Sequence, residues 1–232
     1  DLQATGTSGR NVGVRKIAKN RWMVEAKAGE QITLSYRVYC REMTVRTNWV
    51  DSELAVISPA ATFITLADDS FAREYQVTIE LPGTWRGAYT GLPVVKSVGR
   101  RRIFKAADFD TLVDSPFVVG NAAVYRFKVG GTPYALVNQG EGSLWDGKRA
   151  AEDVEKIVKA TVEMWGTVPY RDYTFLNVID DARGGLEHKN STLMMTSRFS
   201  SKDPERYRSW LGLVSHEFFH TWNVKRLRPE AL

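Results

Sequence analysis

Two histidines four residues apart with a glutamate between them, His216-Glu217-Phe218-Phe219-His220, are the residues of this chain best suited to chemistry. On a helix, four residues advance roughly 400°, so the two imidazoles lie on one face about a turn apart. That spacing lets two ring nitrogens reach one zinc ion at about 2.0–2.1 Å. Glu217 then projects toward the open position of the metal, where it can act as general base on a water that attacks a carbonyl. The bland alternative is a chance match, two stacked histidines on a helix surface. Against it, all three histidines of the chain (His188, His216 and His220) fall in this region. Leu211, Leu213, Val214, Phe218, Phe219 and Trp222 surround the motif, which predicts a buried helix whose paired imidazoles need a partner.

A catalytic zinc takes three protein ligands as a rule. A metzincin would carry a glycine three residues and a histidine six residues beyond the second ligand. Asn223 and Arg226 stand there, so that class is excluded. A thermolysin-like arrangement takes a glutamate from a second helix further along. Glu230 lies too close, just past Pro229, so the third ligand is expected beyond Leu232 and the chain reads as a truncated portion of a longer protein.

The elements that must carry these residues change character along the chain. Gln31–Tyr39, Phe63–Leu66, Tyr75–Leu81 and Val124–Val129 alternate polar and apolar residues, the period-2 signature of half-buried strands. From Ala150 to Trp165 the spacing becomes helical, with Val154, Ile157, Val158, Val162 and Trp165 on one face, ended by Gly166 and Pro169. Tyr173–Ile179 and Ser191–Thr196 read as strands on either side of a loop through Gly184-Gly185, and Trp210 to about Val224 reads as the helix of the histidine motif. The expected fold class is α+β: a β-rich, sandwich-like domain over residues 1–146, then the first part of a zinc peptidase domain over 147–232. No internal repeat or low-complexity tract interrupts this order.

Composition narrows the function classes. An apolar fraction of 43% and an aromatic fraction of 11% indicate a globular chain with a real core. The net charge of +5 invites a nucleic-acid reading, but only Arg100-Arg101-Arg102 forms a basic run and no aromatic-basic alternation accompanies it. Nucleic acid is therefore not an expected partner. No segment approaches the ~20 apolar residues of a membrane-spanning helix. Cys40 is the sole cysteine, which excludes an internal disulfide and a cysteine-rich zinc site and leaves cytoplasm and periplasm both open. The first residue is Asp1 and not Met, so the natural N-terminus is expected to be missing.

The stretch from His216 through Thr221-Trp222-Asn223-Val224-Lys225-Arg226-Leu227-Arg228-Pro229 resembles the active-site segment of the glycyl aminopeptidase family, thermolysin-like zinc peptidases that often carry a C-terminal PDZ domain. Gly184-Gly185-Leu186-Glu187-His188-Lys189-Asn190-Ser191-Thr192 resembles a second signature of that family. Val45–Asp51, Leu81-Pro82 with Trp85, and Phe109–Pro116 are similar to it as well. The resemblance implies zinc held by His216, His220 and a downstream glutamate, with Glu217 as general base. It implies removal of N-terminal residues, glycine and alanine favoured, from peptides with a free N-terminus. Gly184 to His188 takes the place of the Gly-x-Met-Glu-Asn segment of the related alanyl aminopeptidases, which implies that Glu187 binds the substrate α-amine, with Gly185 and His188 beside it.

Elementary chemistry agrees in part. A carboxylate is the natural counter-charge of an ammonium, and a glycine pair lets backbone approach a ligand closely. Trp222 reads as packing, and Asn223 as either a ligand-orienting group or a helix cap. Lys225, Arg226 and Arg228 complement a helix C-terminus. Asp114, Arg46 and Asp51 read as turn residues and not as a site. Two other classes stay open at this point: a non-catalytic β-domain module with an incomplete metal site, and a zinc hydrolase of another kind, such as an endopeptidase or an epoxide hydrolase. Residues 1–232 alone are expected to be inactive.

Overall fold

The computed structural model describes residues 2–67 and 73–230. The chain forms two compact units. The smaller comprises residues 2–39 with 65–67 and holds β1 (Gln3–Gly6), β2 (Asn11–Val12), β3 (Val14–Ala18), β4 (Arg21–Val24) and β5 (Ile32–Ser35). They make a three-stranded sheet in the order β2-β1-β5 and a separate β3-β4 hairpin.

The larger unit contains everything that concerns the histidine motif. Its strands are β6 (Trp49–Val50), β7 (Leu54–Ile57), β8 (Tyr75–Glu80), β9 (Gly87–Tyr89), β10 (Val94–Val98) and β11 (Arg101–Ala106), then, after helix α1 (Phe109–Val113), β12 (Phe117–Gly120), β13 (Ala123–Val129) and β14 (Thr132–Gln139). Helix α2 (Gly147–Trp165) leads to β15 (Tyr173–Ile179), β16 (Gly184–Glu187), β17 (Ser191–Thr196) and helix α3 (Pro204–Phe219). The fold is α+β.

Four layers stack in this unit because strand residues alternate between faces. Phe104 and Val77 of the β10-β11-β8 sheet meet Ala55, Phe117 and Val119 of the β6-β7-β12-β9 sheet. The opposite face of that second sheet, through Leu54, Val56 and Val118, packs on Leu176, Val178, Leu193 and Met195 of the sheet β13-β14-β15-β17-β16. The far face of the third sheet, with Tyr134, Leu136, Tyr173, Phe175 and Met194, receives α2 and α3. In this sheet β14, β15 and β17 run parallel, with antiparallel β13 and β16 at its edges. It therefore contains strands from both sides of residue 147.

The helices follow from local signals. Asp146 caps α2 by accepting from the Arg149 N–H at 3.1 Å, and Gly166, at φ 67°, ends it with its N–H on the Val162 carbonyl. Asp203 caps α3 by accepting from the N–H groups of Glu205 and Arg206, with Pro204 in the first turn.

The structure corrects three sequence expectations. Phe63–Leu66 forms no strand: a short 3-10 turn at Pro59–Ala61 precedes it, and the Phe63 N–H donates back to Pro59. Gly184-Gly185 lies in β16 and not in a loop. Helix α3 begins at Pro204, six residues before the expected start, and ends at Phe219, so His220 occupies its C-terminal cap. Among the described residues, no helix is long and apolar enough to cross a membrane.

Candidate active site

Helix α3 is held to the third sheet along one face. Tyr207, Trp210, Val214 and Phe218 are buried there at helical spacing. Phe218 is fully buried against Tyr134, Tyr170, Tyr173, Phe175 and Trp222, with ring centroids 4.9–6.4 Å away. A chain of polar groups fixes the same helix at its middle. The Trp210 indole donates to Asn177 Oδ1 at 3.2 Å, Asn177 Nδ2 donates to Asn138 Oδ1 at 2.9 Å, and Asn138 Nδ2 donates to Glu141 at 3.1 Å. Buried amides satisfied in this way admit few alternative positions.

On this anchored helix the two imidazoles converge. His216 Nε2 and His220 Nε2 lie 3.1 Å apart, with the rings perpendicular at 89°. Two nitrogens bound to one tetrahedral zinc at about 2.0–2.1 Å each keep roughly 3.3 Å between them, so the pair fits such an ion. His220 Nδ1 lies 3.1 Å from the Asn223 carbonyl oxygen, an acceptor that places the proton on Nδ1 and leaves Nε2 as a lone-pair donor toward a metal. Asn223 thus acts on His220 through its backbone. Trp222 packs, stacked on Trp165 with its indole donating to the Thr167 carbonyl. Among the described residues, no group of three or more His, Cys, Asp or Glu side chains is arranged to hold a metal.

Burial is distributed otherwise than the surrounding hydrophobic residues suggest. His216 is exposed and His220 half-buried, while Glu217 is only 6% exposed. Partnerless burial therefore does not argue for a metal here; convergence of the nitrogens does. Burial raises the pKa of Glu217, and the charge of Glu187 adds to the rise, while His216, His220 and Arg46 oppose it. The shielding comes from β16. A Cβ on Gly185 would stand 2.6 Å from Glu217 Cδ and 2.7 Å from Cγ, so only a glycine leaves room for the carboxylate. Gly185 and Glu187, two residues apart on one strand, share the face turned to α3. The structure brings His216, Glu217, His220, Gly185 and Glu187 together.

His188 is placed differently. It is 6% exposed, and its Nδ1 lies 3.2 Å from Asp114 Oδ1. Asp114, which follows α1, also accepts from Lys225 Nζ at 2.7 Å and from the Lys189 N–H at 2.7 Å. One carboxylate therefore joins the tip of the β16-β17 hairpin to the segment that follows His220. Arg226 braces the same seam by donating to the carbonyls of Lys189, Thr221 and Pro169. Burial alone would raise the pKa of Asp114, but the hydrogen bond and charge of His188, then Lys225 and the Lys189 N–H, bring it down to about 2. In the sequence Asp114 reads as a turn residue. Its partners are 74 to 111 residues away, so no local pattern could mark it.

The same architecture occurs in a solved structure, that of an aminopeptidase N family protein from Idiomarina loihiensis. It superposes with a TM-score of 0.91 at 28% identity over 100% of this chain and 40% of that one. The fold thus has the form seen in that aminopeptidase N family protein. Residues 1–121 match the peptidase M61 N-terminal domain and residues 209–232 match M61 glycyl aminopeptidase, and the chain belongs to the M61 peptidase family. It spans less than half the length of the solved relative. No curated protein matches it.

Two outcomes follow from this geometry. Gly185→Ala should lower stability by about 1–3 kcal/mol through overpacking against Glu217. In a Glu217→Ala background the same change should cost nearly nothing, measured as a double-mutant cycle in urea; additive costs would mean that the two residues do not touch. For Asp114 the sign is set by a folded-state pKa of about 2, below the ordinary 3.8. Its ionised form therefore stabilises the fold by about 2 kcal/mol above roughly pH 5, and that contribution disappears as pH falls toward about 2. The unfolding curves of the wild type and Asp114→Asn should be well separated at neutral pH and converge in acid.

Proposed function

We propose that this chain carries the zinc-binding and proton-transferring part of an aminopeptidase. The observation that supports it most directly is the 3.1 Å convergence of His216 Nε2 and His220 Nε2 beside a shielded Glu217. In this reading His216 and His220 are two zinc ligands, and a third comes from a residue outside 1–232. Bound there, zinc would lower the pKa of a water and polarise the scissile carbonyl.

The chain's own residues do the rest. Glu217, its pKa raised by burial, takes the proton of the attacking water and delivers it to the departing amine. Glu187 faces the same space from β16 and accepts the α-ammonium of the substrate, which sets the cut one residue from the N-terminus. The backbone of Gly185, free of a side chain, lies along the path of the substrate main chain. A preference for an N-terminal glycine accords with the description of the matched family, and alanine is the next smallest residue such a site would take.

The test uses the full-length protein. Elemental analysis should find zinc, and His216→Ala with His220→Ala should lose it. Glu217→Gln should retain the metal while turnover of a glycyl peptide falls about 10²–10⁴-fold. Glu187→Ala should reduce cleavage of the free peptide and leave any cleavage of its N-acetylated form unchanged. Equal losses on both substrates would reject Glu187 as the amine anchor and favour an endopeptidase.

A further inference from the structure

The carbonyl that orients the His220 ring belongs to a turn that needs outside support. Residues 223–228 leave the end of α3 and curl back on themselves. The Val224 N–H donates to the Leu227 carbonyl at 3.0 Å, the Leu227 N–H donates to the Trp222 carbonyl at 2.8 Å, and Arg228 Nε donates to the Val224 carbonyl at 3.0 Å. Within this turn Val224 takes a φ of 102°, which a branched residue adopts only where its surroundings impose it. The Asn223 carbonyl, 3.1 Å from His220 Nδ1, owes its position to that conformation.

Lys225 is bonded at both of its ends. Its backbone N–H donates to the carbonyl of His220 itself at 3.1 Å, and its Nζ donates to Asp114 Oδ1 at 2.7 Å. The two side chains of that ion pair are only 17% and 16% exposed, so solvent and salt screen it less than an exposed pair. Asp114 is fixed from the other side as well, by His188 Nδ1 at 3.2 Å and by the Lys189 N–H at 2.7 Å, both in the hairpin between β16 and β17. The anchor of Lys225 is therefore held by residues that do not belong to the turn.

Resting on the zinc aminopeptidase reading, we infer that Lys225, held by Asp114, is a positioning residue for the metal ligand His220. The ion pair keeps the turn in the conformation that sets the Nδ1 proton on the Asn223 carbonyl and leaves the Nε2 lone pair turned toward His216. Lys225 thus acts through His220, and what it sets is how tightly the imidazole pair holds an ion. Groups that orient a metal ligand without binding the metal change affinity by about 10–100-fold when removed.

The experiment measures the zinc affinity of the full-length protein by competition with a chromophoric chelator. The wild type is compared with Lys225→Met, Lys225→Arg, Asp114→Asn and the double variant Lys225→Met with Asp114→Asn. Lys225→Met and Asp114→Asn should each raise the zinc Kd about 10–100-fold, and Lys225→Arg should recover part of the loss. Because the two residues form one link, the double variant should bind no more weakly than the weaker single variant. An unchanged Kd in Lys225→Met, or losses that add in the double variant, overturns the assignment. A wild type that binds no zinc refutes the aminopeptidase reading separately. The role of Lys225 is then decided by 15N spectra of the histidines at roughly pH 8.5, where free imidazole is neutral. His220 protonated on Nδ1 in the wild type and divided between both nitrogens in Lys225→Met upholds it; the same tautomer distribution in both refutes it.

Discussion

Burial of the Phe218 ring is the interaction on which the rest depends. It sits between Glu217 and Phe219 in the middle of the histidine motif, enclosed by five aromatic side chains from the third sheet, from the connection before β15 and from the segment after α3. Because side chains on a helix have fixed angular offsets, seating one residue of the motif fixes the directions of its neighbours. His216 and His220 then share a face away from the core, and Glu217 is turned beneath β16. The asparagine chain from Trp210 to Glu141 adds directional bonds where aromatic packing alone would tolerate sliding.

Around that helix, charge is handled by local compensation. Glu217 is shielded by the backbone of a glycine and faces two imidazoles. Asp114, also largely shielded, is satisfied by three donors and holds together two segments that approach the site from different parts of the chain. The strand carrying Glu187 and the turn following His220 are thereby coupled, although neither contacts the other through regular secondary structure. Val224 in that turn has a φ of 102°, a strained value for a branched residue, and its N–H donates to the Leu227 carbonyl. The turn that presents the Asn223 carbonyl to His220 is thus kept in a conformation it would not adopt in isolation.

How much of this was legible in the residues depends on the range of the signal. The histidine motif, the helical face of α2 and the strand at Tyr173–Ile179 are local patterns, and the structure has them where the residues indicate. The strand through Gly184-Gly185 was not legible, because glycines normally mark turns, whereas here one is required by the side chain of a residue 32 positions later. The extent of α3 was obscured because its first turns carry charged residues and only one face is buried. Asp114 sits in a turn that looks ordinary, and its neighbours are defined by layers that bring distant segments together. Long-range pairing of this kind leaves no periodicity to read.

The contrast between an exposed His216 and a shielded Glu217 has a consequence for access. His216 is open to solvent while the Gly185 backbone lies against the Glu217 carboxylate, so the two neighbours in sequence stand in different surroundings. In the proposed site, a ligand arriving from solvent would find the imidazole of His216 more accessible than the carboxylate beside it.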